Sequence, residues 1–312
     1  MELIPYRETD LPEYVRLRNL ADLSRPATLE DIRHHDATRA KDAKFVRFFV
    51  VVAGQNIGVV NLETPLSNPA EGELELGLYL LPAHLDQAQM VYRLALNAMP
   101  PLEPKLLRVS AKENLWAYTF FLAQGFSEFD RTFPSSLHLE SFDAAPFAPL
   151  LEKAGNAGLE IRTLASELVN PRFARRYYNA IVEILHDVPA ATALQPWDFE
   201  TWQERTLQGP TFYPEAEFIG FIGTEIAGVS QLLRSTREAT IQTGLTGVRR
   251  AYRHLGIGFA LKIAAAQFAQ NNGFKFIRTT NHVINRPMLA INEAMGFVKD
   301  PTTVYLRKAV VS

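Results

Sequence analysis

The chain has 312 residues, 47% hydrophobic and 21% charged, which suits two globular domains with their own cores. Its 32 basic and 34 acidic residues leave a formal charge of -2, so no global field favours nucleic acid and a basic site has to be local. There is no cysteine, which excludes disulfides, thiolate metal ligands and a cysteine nucleophile.

No stretch approaches the roughly 20 apolar residues of a membrane span. The start, Met1 to Glu8, lacks a basic run followed by an apolar one, so a cytoplasmic protein without membrane contact is expected.

In chain order, Leu3 to Arg7 reads as a strand, and Leu11 to Leu23 and Thr28 to Arg39 as helices. A hairpin follows, Phe45 to Val52 and Ile57 to Leu62, turning at Gly54-Gln55-Asn56. Then come a strand from Glu73 to Leu81, a helix from His84 to Met99, a strand from Leu106 to Ser110, a short helix and Gly125-Phe126. His34-His35 invites a metal reading, but adjacent helical residues diverge and no second ligand pair accompanies them, so no metal is expected.

Between Phe142 and Gly158, Ala, Pro and Gly replace the periodic apolar residues, which marks a junction. The same element order then recurs. Asn114 lies 11 residues before Gly125 and Asn285 lies 11 before Gly296, an offset of 171 for both pairs; the hairpin glycines Gly54 and Gly223 differ by 169. So constant an offset over so long an interval predicts two copies of one fold, over residues 1–145 and 157–312.

Between the first two elements of the second copy, His186-Asp187-Val188-Pro189 leads to Trp197-Asp198-Phe199-Glu200-Thr201-Trp202. An aromatic and acidic loop suits a cationic amine through ion pairing and cation-π contact. Equally, Trp197 and Trp202 are packing residues, with Asp198 and Glu200 in the first turn of a helix.

Further on, Ala239 to Val248 is rich in β-branched residues and reads as a strand. A basic turn follows, and Ile257, Leu261, Ala264, Ala265 and Phe268 then mark one face of a helix ended by Asn271-Asn272-Gly273. Within the turn, Arg253-His254-Leu255-Gly256-Ile257-Gly258 fits R-x-x-G-x-G, where glycine lets a ligand approach the backbone and helix-terminal amides face its oxygens. The pair of glycines by itself also fits a dinucleotide turn or plain helix packing.

The run Val248 to Lys262, the strand Phe274 to Asn281 and the segment Asn285-Arg286-Pro287 through Gly296-Phe297 together resemble the acetyl-CoA-binding motif of the GNAT superfamily of N-acetyltransferases. A Rossmann dehydrogenase fits less well, since the turn follows a late strand of a hairpin-containing mixed sheet. The resemblance implies an α/β (α+β) chain of two tandem GNAT-like domains, each a central, mostly antiparallel twisted sheet flanked by helices.

It also implies that acetyl-CoA is bound in the second copy. Amides near Leu255, Gly256, Ile257 and Gly258 would meet the pyrophosphate. Arg249, Arg250, Arg253 and His254 would supply charge to it or to the adenosine phosphate. The edge of Thr246-Gly247-Val248 would pair with the pantetheine amides. Asn285 would touch the CoA arm, cap a helix that carries Pro287 in its first turn, or do both.

The first copy departs from the motif. Carried back by 171, Arg253, Gly256 and Gly258 fall on Pro82, Leu85 and Gln87; by 169 they fall on His84, Gln87 and Gln89. No glycine occurs between Gly77 and Gly125, so this copy is expected not to hold CoA in the family's manner.

The resemblance further implies transfer of an acetyl group to a primary amine of a small molecule, in a monomer or homodimer; without a cysteine to carry the acyl group, direct attack in a ternary complex is the simpler route, with a serine carrier as the alternative. Such an amine has a pKa of roughly 10, so a proton must be accepted before attack. Many family members place a tyrosine four residues before Gly-Phe as the acid for the thiolate; this chain has Asn292 there, and Phe121 in the first copy. An amide donates a hydrogen bond but cannot exchange a proton as a phenol does. Tyr252, Tyr305 and His282 remain as replacements, with Glu217 and Glu238 as carboxylates acting through water. A non-catalytic acyl-CoA-binding or sensing module is the alternative function.

Overall fold

Apolar patterning translates directly into most elements of the computed structural model, which describes residues 1–23, 26–40, 42–65, 69–189 and 195–310. The first half contains β1 (Glu2–Pro5), α1 (Leu11–Ala21), α2 (Leu29–Ala37), β2 (Phe45–Val52), β3 (Gln55–Glu63), β4 (Glu73–Leu80), α3 (Ala88–Ala98), β5 (Leu106–Lys112), α4 (Trp116–Ala123) and β6 (Ser127–His138). The second half contains α5 (Ala148–Asn156), β7 (Leu159–Thr163), α6 (Leu164–Glu167), α7 (Phe173–His186), α8 (Phe199–Trp202), β8 (Glu217–Ile222) and β9 (Glu225–Arg234). It closes with β10 (Thr240–Val248), α9 (Ile257–Asn271), β11 (Phe276–His282), α10 (Arg286–Ala294), β12 (Val298–Lys299) and β13 (Thr303–Ala309).

Two compact units result: Met1–Asp130 together with Thr303–Ser312, and Arg131–Thr302. In the first, strands run in the order β1-β2-β3-β4-β5-β13, antiparallel except for the β4–β5 pair. One face packs on α1 and α2 around Tyr14, Leu17 and Phe49, and the other on α3 and α4 around Val60, Tyr92 and Phe121. In the second unit the order is β6-β11-β10-β9-β8-β7, with β12 also on β6, and only β10–β11 is parallel. Here α7 and α8 cover a core around Tyr177, Ile184 and Trp202, while α5, α9 and α10 cover another around Leu261, Ala265 and Phe297. Both units are therefore mixed, mostly antiparallel sheets flanked by helices, as the sequence predicts.

Their limits differ from the expected 1–145 and 157–312 at both ends. From residue 131 onward β6 lies in the second unit, where Thr132 to His138 pair with β11, and β13 lies in the first, pairing with β5 from Thr303 to Ala309. Alternating apolar residues say which face of a sheet a strand buries, not which strand lies beside it. The expected junction also holds structure: α5 packs on α9, with the rings of Phe147 and Phe259 stacked 5.7 Å apart. The helix expected from His84 begins instead with a tight turn over Pro82–Gln87, in which His84 leaves helical geometry.

Because Val304 and Leu306 are fully buried in the core of the first unit, β13 carries part of that unit's stability. Leu306→Ala is expected to cost about 2–5 kcal/mol. Hydrogen exchange should show lost protection over β4 and β5 while β8 to β10 are unchanged; loss confined to β8 to β10 would contradict this assignment of the strand.

Candidate functional site

The site in the second unit begins with a defect in a strand. Gly244 and Leu245 of β10 stand opposite the single residue Gln231 of β9, a bulge between the pairs Thr243–Leu232 and Thr246–Ser230. The parallel pairing of β10 with β11 covers Thr240 to Gln242, so among the described residues the edge from Thr243 to Val248 has no strand beside it on that side. An open edge of this kind presents backbone donors and acceptors to a strand-like ligand. The bulge needs its own partner: the Leu245 amide donates to Gln231 Oε1 at 3.0 Å.

Gln231 is held in turn by a buried network. Its Nε2 donates to Tyr177 Oη at 3.0 Å and to Glu217 Oε2 at 3.2 Å, and Tyr177 donates to the same carboxyl oxygen at 2.8 Å. Glu217 has no exposed surface, and its Oε1 has no partner among the described residues. Burial pushes its carboxyl up to about 7, against the lowering effect of the Tyr177 and Gln231 hydrogen bonds. The expected base is thus a core residue of β8, fully enclosed.

At the other end of β10 the chain passes through Arg249 to Leu255 into α9. Gly256 is the N-cap, with φ +81°, and no side chain caps the first turn. The amides there are free to face an anion. A Cβ on Gly256 would come within 2.5 Å of the Leu150 carbonyl, so α5 as well as backbone conformation demands glycine. Gly258 differs, since a Cβ there would make only ordinary contacts, 3.5 Å to Ile291 and 3.7 Å to Val248. His254 is exposed, with φ +66°.

The arginines are not bare charges. Arg249 Nε donates to Glu183 at 2.7 Å, Arg250 Nε donates to Asp187 at 2.9 Å, and Arg253 Nη2 donates to Asp187 at 2.7 Å. The Arg250 hydrogen bond, ahead of the charge of both arginines, holds the Asp187 carboxyl below its usual range. Both carboxylates lie at the end of α7, which approaches β10 closely because position 247 is glycine: a Cβ there would stand 2.2 Å from Ile184. Since the Arg250 side chain is 78% exposed, solvent screens its pair, which orients the guanidinium without locking it. Asp187, expected to select an acceptor, is thereby committed to the cradle.

The remaining candidates are dispersed. Asn285 caps α10, accepting from the Met288 amide at 3.4 Å, as its capping role predicts. Asn292 is buried and donates to Asn281 Oδ1 at 2.6 Å. His282 ends β11, its Nδ1 accepting from the Ile284 amide. Tyr252 lies half-buried in the turn, near Arg249.

Two candidates fall away from this arrangement. Glu238 is exposed ahead of Thr240, at the end of β10 remote from the cradle, beside a cleft lined by Arg237, Arg278 and Asp300. Tyr305 belongs to the other unit, where Arg108 lies over its ring.

In the aromatic stretch, Trp202 is core, Asp198 caps α8 and Trp197 faces Arg205, which favours the packing reading. Residues 190–194 of that stretch lie outside the described residues. His35 sits beside Asp36, whose carboxylate is taken by Arg39 and Arg47. Sequence reasoning missed Lys262, buried on the sheet-facing side of α9, and the pairing role of Glu183.

The geometry is that of a mixed sheet in which β10 parts from its parallel neighbour and leads into a glycine-capped helix. Residues 176–297 match the model of the acetyltransferase (GNAT) family. The matched span lies within the second unit, which is what makes this part of the chain similar to the GNAT acetyltransferases.

Among solved structures it is similar to a tandem GNAT protein from the clavulanic acid biosynthesis pathway, determined without acetyl-CoA (TM-score 0.73, 17% identity, covering 100% of this chain and 99% of that one). A GCN5-related N-acetyltransferase from Sphaerobacter thermophilus follows, with TM-score 0.64, 16% identity and coverage of 98% and 95%. An acetyltransferase of the GNAT family from Colwellia psychrerythraea has TM-score 0.64, 13% identity and coverage of 99% and 100%. At these identities the likeness is one of fold. No curated protein matches the sequence.

The raised carboxyl of Glu217 sets a pH dependence of stability. Its ordinary value is 4.5 and its folded value about 7, so between those limits the folded state holds the proton that the unfolded state has lost. Stability is therefore full below 4.5 and falls as pH rises to about 7, by about 3 kcal/mol. Glu217→Gln should remove that slope, melting close to wild type at pH 4.5 and above it at pH 8. Parallel melting curves across this range would show that the carboxyl is not protonated in the fold.

Proposed function

We propose that the second unit is an acetyl-CoA-dependent N-acetyltransferase that acts on a primary amine of a small molecule, by direct attack in a ternary complex. The observation that carries the reading is the open edge of β10 from Thr243 to Val248, running into the uncapped amides of α9. Together they offer what CoA requires: amide partners for the pantetheine arm, then amides and oriented guanidiniums for the pyrophosphate. Thr246, Gly247 and Val248 would hold the arm, with Asn285 at its side. Leu255 to Gly258 and Arg249, Arg250 and Arg253 would hold the phosphates. Bound acetyl-CoA supplies the activated acyl carbon.

With no cysteine in the chain, no thiol is available to carry the acyl group, which favours direct attack. The first unit, with Pro82–Gln87 in place of a glycine cap, is proposed to serve the fold without binding CoA in this manner. A chain in the cytoplasm, as monomer or homodimer, fits the same reading.

One observation favours a second reading, a non-catalytic acyl-CoA sensor: Asn292 stands where many relatives have their tyrosine, and it is tied to Asn281. Thiol release from acetyl-CoA across polyamines, aminoglycosides and amino acids separates the two. Release with at least one acceptor is expected; tight acetyl-CoA binding with none would favour the sensor.

Glycine substitutions test the site itself. Gly258→Leu is expected to weaken acetyl-CoA binding more than tenfold in calorimetry at nearly unchanged melting temperature, while Gly258→Ala keeps the fold and adds up to about 1 kcal/mol of helix stability. Gly256→Ala should lower the melting temperature, through its contact with Leu150. Wild-type affinity in Gly258→Leu would remove α9 from the binding site.

A further inference from the structure

Resting on the transferase reading above, we infer that Lys262 is the proton donor to the departing thiolate, in the place where the chain has no tyrosine.

Lys262 is 4% exposed and projects from α9 toward the sheet. Its Nζ lies 4.9 Å from the ring centre of Phe297, and among the described residues no carboxylate or hydrogen-bond acceptor pairs with it. It lines a small cavity at the point where β10 and β11 part. From β10 comes Thr243, the first residue of the open edge, whose hydroxyl is buried without a partner among the described residues. From β11 comes Ile277, in the last stretch where the two strands pair. From β9 come Ser230 and Leu232, and after α10 come Met295 and Phe297. None of these groups titrates, so Lys262 is the one ionisable side chain lining the cavity.

A lysine whose ammonium meets the Phe297 ring and no hydrogen-bond acceptor among the described residues, and a buried hydroxyl without a partner there, line one cavity, an arrangement that suits a polar ligand atom between them. The chemistry of CoA says which. Its pyrophosphate and its sulfur lie at opposite ends of the pantetheine arm. With the pyrophosphate at α9 and the arm along β10 from Val248 toward Thr243, the sulfur arrives where the strands part.

In the transfer, the acceptor nitrogen bonds to the thioester carbon, the C–S bond breaks and its electron pair leaves on sulfur. Lys262 Nζ–H gives its proton to that sulfur, so that free thiol departs and Lys262 is left neutral. The proton shed by the acceptor nitrogen enters solvent, and solvent restores the ammonium, so one amine and one thioester become one amide and one thiol.

Burial alone pulls Lys262 down from 10.5 to about 8, with no charge or hydrogen bond opposing it. That value is close to the roughly 8.5 of an ordinary thiol, the match that favours proton transfer in either direction. Asn292, tied to Asn281, cannot supply the proton.

The test uses Lys262→Met in the full chain, a change that removes a buried charge and keeps the volume. Acetyl-CoA affinity by calorimetry should stay within a few-fold of wild type. Single-turnover thiol release should fall by about a hundredfold, and the loss of wild-type activity above about pH 8 should vanish from the variant's profile.

A second readout needs no turnover: with CoA bound, thiolate absorbance should appear at lower pH in wild type than in Lys262→Met, because the ammonium stabilises the anion. Wild-type release with the variant equally fast, or identical thiolate titrations in the two proteins, would overturn the role of Lys262 and leave the transferase reading standing. No release by wild type with any acceptor would overturn both.

Discussion

The candidate site depends on an interrupted ladder. Two residues of β10 oppose one of β9, and from that bulge onward the strand has no neighbour on its other side among the described residues. A bulge leaves backbone groups to satisfy, and here the Gln231 side chain meets the Leu245 amide. Tyr177 and Glu217 then fix Gln231 from α7 and β8. Three buried polar side chains thus hold a strand in the shape that leaves its far edge free. Protonation of Glu217 favours that arrangement, since a neutral carboxyl is far cheaper to enclose than an anion.

Charge at the cradle follows a similar logic. Three arginines within five residues would repel one another and sample many rotamers. Glu183 and Asp187 gather them, and Gly247 allows α7 close enough to do so. These pairs lie near solvent, where each is weak. Under the proposed function, a phosphate would meet oriented donors without having to break a deep ion pair.

Much of this was legible in the sequence. Hairpins, the glycine-led helix, the asparagine cap and the duplication appear as spacing, because each depends on residues close in the chain. The glycines carried a more mixed message: Gly256 is required by a left-handed φ and by the backbone of α5, whereas a Cβ at Gly258 would make only ordinary contacts. The apparent linker proved to contain α5, whose short apolar run is completed only by packing on α9. Asp187 read as part of an acceptor loop because its partners lie more than sixty residues away.

By itself, then, the sequence determined two copies of a mixed sheet and one basic, glycine-led turn into a helix, since periodicity and backbone conformation are written locally. Tertiary structure decided which sheet receives β6 and β13, because alternation encodes a face and not a neighbour. It also decided the chemistry of Glu217 and Lys262. An acid beside a hairpin and a lysine in a helix look ordinary in one dimension; only enclosure by distant strands strips their water and moves their proton affinities toward neutrality.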